Sequence, residues 1–185
     1  MSALTIYPAD QPQHGTTYRD FDTIAGQLDG IGVQFERWEA GSEFISEVEV
    51  LTVMDAYQQH IDRLTEQYGF KSVNVVSLKA DHPEKQAMRQ KFLSEHTHDD
   101  FEVRFFVEGR GLFYLHRDDK VYAILCEQGD LISVPAHIKH WFDMGENPDF
   151  KCIRLFTTED GWIANFTGDP IAESFPTFEQ YLAGL

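Results

Sequence analysis

The chain has 185 residues, of which 42% are hydrophobic and 14% aromatic, which supports one domain with a packed core and excludes the composition of a disordered chain. Its formal net charge is -16, from 31 acidic and 15 basic residues, and no cluster of Lys and Arg interrupts the acidic balance. Such a chain repels a polyanion, so we expect no nucleic-acid partner.

The first part of the chain, about residues 1–70, is predicted to be helical. Between residues 46 and 68 apolar residues recur at alternating spacings of four and three, which predicts one helix with Gly69 as its C-terminal stop. The apolar residues of this stripe are Val50, Met54, Tyr57, Ile61, Leu64 and Tyr68. Shorter helices are predicted over residues 17–28 and 83–93, the second with Pro83 in its first turn.

From residue 73 onward, short segments rich in β-branched and aromatic residues predict strands. These segments are 73–78, 103–107, 112–116, 121–125, 131–134 and 152–156. Sharp reversals between neighbouring antiparallel strands are predicted at Gly109 and Gly111, at 117–119, at 129–130 and at 145–148. The pattern favours a mainly β fold with peripheral helices: a single domain over 1–185, with a barrel core at about 71–170 and a short C-terminal helix at about 176–184.

The strongest local signal for chemistry is a pair of histidines followed by a carboxylate. His96 and His98 share one face of a strand, and after a short bend Glu102 can join them. Two imidazole nitrogens and one carboxylate oxygen suit a divalent transition metal. Alone, such a pair of histidines is more often a surface feature of an acidic loop.

A second signal follows downstream, where a strand, a proline turn and another strand contain Gly129, Pro135 and His140. With this second segment, a metal site becomes the favoured interpretation of the histidine pair. The two segments together resemble the two motifs of the cupin superfamily, the first of which is represented here by His96, His98, Glu102 and Gly109. The resemblance implies a cupin-type double-stranded β-helix, also called a jelly-roll barrel. It also implies four metal ligands, which are His96, His98, Glu102 and His140.

His137 occupies the position where the second cupin motif usually has glycine. It is the other histidine that could bind the metal, and we expect it to have a structural role instead.

Within the superfamily, the chain resembles the acireductone dioxygenases. The resemblance is carried by residues 91–98, 102–109, 131–137, 140–145 and 161–168, which span most of the chain from 70 to 170. It implies cleavage of 1,2-dihydroxy-3-keto-5-methylthiopentene by O2, with one Fe2+ or Ni2+ per chain. The iron form would yield formate and 4-methylthio-2-oxobutanoate in methionine salvage, and the nickel form formate, carbon monoxide and 3-methylthiopropanoate. The ligand types accept both metals, so the sequence does not choose between them.

Further site residues follow from position and from the resemblance. Arg104 lies two residues beyond Glu102 on the same strand face, where its charge could hold an enediolate anion or form a buried ion pair with Glu102. Arg154 is a second candidate. Each of Phe92, Phe142 and Trp162, taken alone, is more often a core residue, but the resemblance makes all three candidates for the apolar wall of the site. The proton acceptor stays open between a metal-bound hydroxide, Glu95 and another nearby group.

Two other functions share this ligand set: another metal-dependent cupin enzyme, such as an isomerase or decarboxylase, and a metal or small-molecule binder without catalysis. Aromatic residues and few basic side chains around the motifs favour a substrate with an apolar tail.

The N-terminal residues do not resemble a signal peptide, and no apolar stretch approaches the length needed to span a bilayer. We therefore expect a cytoplasmic protein that does not associate with membranes. Cys126 and Cys152 are then expected to stay reduced. A monomer is the default expectation, because no coiled-coil seam is present.

Overall fold

The computed structural model describes residues 1–39 and 50–185. Its helices are α1 (Phe21–Asp29), α2 (Val50–Ala56), α3 (Gln58–Tyr68), α4 (Lys85–Leu93) and α5 (Phe178–Gly184), with a 3-10 helix at Pro170–Ser174. Its strands are β1 (Ala3–Pro8), β2 (Thr16–Tyr18), β3 (Gln34–Arg37), β4 (Ser72–Leu78), β5 (His96–Thr97), β6 (Glu102–Arg117), β7 (Lys120–Glu127), β8 (Asp130–Val134), β9 (Lys139–Asp143), β10 (Phe150–Phe156) and β11 (Asn165–Phe166).

The strands form two antiparallel layers that share β6. One layer has the order β11-β5-β9-β6-β7-β1-β2, and in it β6 pairs through its C-terminal half. In the other layer the N-terminal half of β6 lies between β10 and β8, which in turn pair with β4 and β3. The two layers are therefore joined along a single long strand.

The main core lies between the two layers, where Phe113 and Phe142 of one pack in the same cluster as Ile132 and Cys152 of the other. Helices cover the outer faces. Helix α3 packs on the layer that contains β8 and β10, and α5 packs on the layer that contains β7 and β9. This arrangement gives the mainly β architecture with peripheral helices that the sequence predicts.

The reversal predicted at Gly109 and Gly111 is wrong, because β6 runs through both glycines as one strand of 16 residues. Gly109 has φ +70°, and two residues before it the pairing of β6 with β10 shifts by one residue at Val107, which is a β-bulge. The extra residue changes which side chains face the core. Phe106 faces inward before the bulge, whereas Phe113 and Leu115 face inward after it. Two predicted strands are thus one strand that passes from layer to layer.

Two other predicted turns are present but connect the layers rather than hairpin partners. The turn at Gly129 leads from β7 to β8, and the turn after Gly145 leads from β9 to β10, and neither pair of strands is directly hydrogen-bonded. Of the predicted turns, only the one at 117–119, in which Asp118 has φ +55°, closes a hairpin, between β6 and β7.

The expectation of a helical N-terminal part is wrong in one respect, since β1, β2 and β3 lie within it. These strands are short and are held by tertiary pairing: β1 pairs with β7 and β2, and β3 with β8. The helix predicted over 17–28 accordingly begins only at Phe21, after the cap of Asp20.

The helix predicted over 46–68 is interrupted at Tyr57, which separates α2 from α3, and residues 46–49 lie outside the described residues. The buried ring of Tyr57 packs on Phe105 at 4.5 Å between centroids. The stop at Gly69 is confirmed, with φ +72° and its N–H donating to Thr65 O. None of the helices within 1–39 and 50–185 combines the length and apolarity needed to cross a membrane.

Candidate metal centre

Three strands and one connecting turn bring the four predicted ligands together. His96 lies on β5 directly opposite His140 of β9, and Glu102 begins β6. His98 lies between β5 and β6, so the bend predicted after the histidine pair is present. All four side chains are buried, and one ligand atom from each lies within 4.8 Å of the others. The cluster therefore has the composition and compactness of a metal-binding site.

Backbone carbonyls determine which nitrogen of each histidine carries the proton. Nδ1 of His96 donates to Ser94 O, Nδ1 of His98 to Ile163 O and Nδ1 of His140 to Ile138 O, each at 2.7 Å. A carbonyl oxygen only accepts, so each Nδ1 carries hydrogen and each Nε2 keeps its lone pair. The three lone pairs are then free for a cation.

Two buried atoms of the cluster show that a cation fits between the side chains. Glu102 Oε2 and His140 Nε2 lie 2.6 Å apart, yet neither makes a hydrogen bond. Both are acceptors when Nδ1 of His140 holds the proton, so they repel each other unless both bind the same positive ion. His98 Nε2, 3.5 Å from the same oxygen, faces the same point.

The electrostatics of the cluster keep His96 and Glu102 in the forms that bind metal. Burial, followed by the repulsion that a protonated His140 would exert, lowers the pKa of His96 to about 4, so this imidazole is neutral at pH 7. Burial raises the pKa of Glu102, but the charge of Arg104 and the contacts with His140 and His98 outweigh it and hold that pKa well below its ordinary value. Glu102 is therefore a carboxylate.

Arg104 lies on the same inward face of β6 as Glu102. Its Nη2 lies 2.6 Å from Glu102 Oε1, so the ion pair considered as the alternative to a functional role is present. Its Nε is buried without a hydrogen-bond partner. The guanidinium also lies over the rings of Phe142 at 4.7 Å and Phe113 at 5.2 Å. Arg104 thus supports a ligand and still has an unused donor.

A cavity opens beside three of the four ligands. Its lining is His96, His98, Glu102, Lys91, Phe92, Arg104, Phe142, Arg154, Phe156, Trp162, Ala164 and Phe166. All five residues predicted for substrate binding belong to it, although their environments differ. Phe142 is buried in the core, Phe92 is half-buried, and Trp162 is 53% exposed. Glu102 is the sole carboxylate among these lining residues.

Arg154 faces Arg104 across the pairing of β10 with β6. Its Nε donates to Asn74 Oδ1 at 2.9 Å, and its guanidinium lies over the Phe156 ring. Burial, followed by the charge of Arg104, lowers the pKa of Arg154 to about 10, so the group is still cationic at pH 7. Two like charges directly opposite each other favour an anion between them.

The structure removes two residues from consideration. Glu95 is not among the residues that line the cavity. Its carboxylate instead accepts hydrogen bonds from His116 Nδ1 at 2.6 Å and from Thr167 Oγ1 at 2.7 Å. Glu95 is therefore not placed to accept a substrate proton. His137 lies outside the metal cluster with an exposed side chain and φ +66°, a backbone conformation that explains why glycine is usual there.

Sequence reasoning missed Asp100, a buried carboxylate between the ligands His98 and Glu102. It accepts from the backbone N–H and hydroxyl groups of Thr157 and Thr158 and from Phe101 N–H. Lys91, Phe156, Ala164 and Phe166 were also missed as lining residues. Only their position near the motifs could have indicated them, since all but Lys91 are ordinary apolar side chains.

Comparison with known proteins identifies the family. The model of the ARD/ARD' family matches residues 6–164. The acireductone dioxygenase of Methylococcus capsulatus is 56% identical over 182 residues, which are 98% of each chain, and that of Aquifex aeolicus is 51% identical over 100% of each chain.

A solved structure of acireductone dioxygenase from Bacillus anthracis, with a cadmium ion in its active centre, is similar with a TM-score of 0.79 at 26% identity. The alignment covers 90% of this chain and 98% of that one, and it confirms the predicted cupin fold. The chain therefore belongs to the ARD/ARD' family of acireductone dioxygenases.

Proposed function

We propose that the chain cleaves 1,2-dihydroxy-3-keto-5-methylthiopentene with O2, using one Fe2+ or Ni2+ held by His96, His98, Glu102 and His140. The observation that carries this proposal is the pair of unsatisfied buried atoms, Glu102 Oε2 and His140 Nε2, within a cluster that faces an arginine-containing cavity with aromatic walls. The cadmium ion in the active centre of the Bacillus anthracis relative supports a divalent metal at this place.

A metal ion bound here would supply a Lewis acid that favours the deprotonated enediol and orients it. The protein supplies the rest of the electrostatics. Arg104 has a buried donor, Nε, with no partner, and its guanidinium is shielded from water by aromatic rings. A charge in such surroundings interacts strongly with an anionic oxygen, so we assign to Arg104 the binding of the enediolate.

The aromatic side chains would bind the methylthio tail of the substrate. Phe92 and Phe142 contact each other edge to face at 6.3 Å between centroids and form one wall. Trp162 also lines the cavity and is exposed to solvent, so a long apolar tail that reaches out of the cavity could contact it. Arg154 lies in the same cavity and would add a second positive charge for the anionic substrate or for a carboxylate product.

The products would depend on which metal ion is bound. With iron we expect formate and 4-methylthio-2-oxobutanoate, the product set of methionine salvage, and with nickel formate, carbon monoxide and 3-methylthiopropanoate. We further propose that the protein works as a monomer in the cytoplasm. The two unpaired, buried cysteines fit a reducing compartment.

Product analysis after anaerobic loading with one metal at a time tests this proposal. Metal-free protein is loaded with iron(II) or nickel(II), the enediol and O2 are added, and acids and gas are quantified. The iron form should give equal amounts of formate and keto acid, and carbon monoxide should appear only with nickel. Stoichiometric metal binding without oxygen uptake would contradict the proposed reaction and leave the metal site standing.

A further inference from the structure

Helix α4 supplies part of the cavity wall, although the helix buries little apolar surface that could anchor it. Lys91 and Phe92 of this helix line the cavity. None of the helix residues is fully buried, and its apolar contacts come from the half-buried Met88, Phe92 and Leu93. Since burial is the usual anchor of a surface helix, the position of this wall requires another explanation.

A buried ion pair provides that anchor. Nε of Arg89 donates to Asp143 Oδ1 at 2.8 Å and Nη2 donates to Asp143 Oδ2 at 3.0 Å, which is a bidentate arrangement. Asp143 is fully buried, and only 14% of the Arg89 side chain is exposed. Nη2 also donates to Glu179 of α5 at 2.8 Å. The guanidinium therefore joins α4 to both β9 and α5.

Asp143 is itself fixed independently of Arg89. Its carboxylate accepts from Gly145 N–H at 2.9 Å and from Phe178 N–H at 2.8 Å. It directly follows Phe142 on β9 and lies three residues after the candidate ligand His140. An arginine bound to this carboxylate is thus held in a fixed position relative to β9, the strand that carries the candidate ligand His140 and the wall residue Phe142.

We propose that Arg89 is a positioning residue, which through Asp143 holds α4 so that Phe92 packs against Phe142 and completes the apolar wall of the substrate site. Arg89 and Phe92 are three positions apart, so they lie on neighbouring parts of one helix face. Phe92 in turn lies 6.0 Å from the Arg104 guanidinium. The inference rests on the proposed function, because it assigns the wall to the methylthio tail.

The test compares Arg89→Met with Arg37→Met in the iron-loaded full chain. Arg37 makes a similar pair, in which Nε and Nη2 both donate to the fully buried Asp130, but it does not line the cavity. Both variants lose an arginine bound to a buried aspartate. We expect Arg89→Met to raise KM for the enediol about tenfold, with kcat and metal content nearly unchanged, because a misplaced wall weakens binding. Arg37→Met should lower the melting temperature without moving KM.

A double-mutant cycle tests whether Arg89 acts through Phe92. In the Phe92→Ala background, Arg89→Met should raise KM by less than about twofold, since the group that it positions is gone. If Arg89→Met does not fold, Arg89→Lys, which keeps one charge and loses the bidentate geometry, takes its place.

An unchanged KM in the folded Arg89 variant, or an equal rise in Arg37→Met, would overturn the inference. Full additivity with Phe92→Ala would do the same. Failure of the wild-type chain to turn over the enediol is a separate outcome, which would refute the proposed function itself.

Discussion

The protonation of three imidazoles determines what the metal centre can bind. Each histidine of the cluster donates its Nδ1 hydrogen to a backbone carbonyl, so Nε2 is presented toward Glu102. Hydrogen bonds of this kind fix ring orientation and increase the basicity of the ligand nitrogen. The chemistry therefore depends on the backbone around Ser94, Ile138 and Ile163 as much as on the histidines.

Glu102→Gln should lose metal and activity together. The amide keeps the shape of the side chain but removes the negative charge that binds the cation beside the two neighbouring imidazoles. Metal analysis after gel filtration should find far less than one iron per chain, with oxygen uptake falling in parallel. A variant that retains stoichiometric iron would show that Glu102 is not a ligand.

Arg104→Lys should retain iron while kcat/KM falls about a hundredfold, or ~2.7 kcal/mol in transition-state stabilisation. Lysine keeps the charge near Glu102, but it cannot reproduce both the contact with Oε1 and the free Nε donor. Steady-state kinetics together with metal analysis separates the two effects. If KM and kcat both stay at wild-type values, the assignment of Arg104 to substrate binding is wrong.

At the scale of secondary-structure elements, the long strand β6 positions the site. The bulge at Val107, two residues before Gly109, allows Glu102 and Arg104 to face inward in one layer while Phe113 faces inward in the other. A β-carbon at Gly109 would lie 1.8 Å from Asp149 O, so no other residue fits this backbone.

Gly109→Ala should lower the free energy of unfolding by about 3 kcal/mol or more, since strain at positive φ adds to a backbone clash. Gly26→Ala in α1 is the matched control. A β-carbon there meets nothing within 4 Å, so helix propensity should make that variant more stable by about 0.5–1 kcal/mol. Urea unfolding measures both. Equal stabilities of the two variants would contradict the requirement for glycine at position 109.

Local patterns predicted those elements whose residues carry a clear period or a cap. The stop of α3 at Gly69 and the strands β4, β7 and β10 are examples, and the ends of these strands lie within two residues of the predicted ones. The strands β1, β2 and β3 were missed because they are short and are stabilised by partners far along the chain. The bulge was missed because a glycine in a strand pattern resembles a turn.

The four residues of the candidate metal centre could be predicted to lie together because three of them lie within seven residues and the fourth lies in a second recognisable motif. The contacts that orient them could not. His98 is fixed by a carbonyl 65 residues away, and Asp100 is satisfied by threonines 57 and 58 residues away. Only the fold determines such pairs, and they carry no sequence pattern of their own.

For the molecule as a whole, positive and negative charges are distributed unevenly. The net charge is -16, whereas the cavity beside the metal centre is lined by Lys91, Arg104 and Arg154 with the single carboxylate Glu102 among its described residues. A small anion is therefore attracted locally within an acidic protein that repels large polyanions.

The two cysteines should report opening of the core. Burial raises the pKa of Cys152 to about 12 and that of Cys126 well above its ordinary range, so at pH 8 both thiols are protonated and inaccessible in the native state. Native protein should resist iodoacetamide, and both thiols should react in urea, as mass spectrometry can show. Native labelling as fast as unfolded labelling would contradict the packing between the layers.

A crystal structure of the nickel-loaded protein, with an anomalous difference map at the nickel edge, tests the metal centre most directly. The expected result is one peak per chain, about 2.1 Å from Nε2 of His96, His98 and His140 and from a carboxylate oxygen of Glu102. A peak at another place, or one bound through Nδ1 of any of these histidines, would contradict the assignment of this cluster as the centre of the reaction.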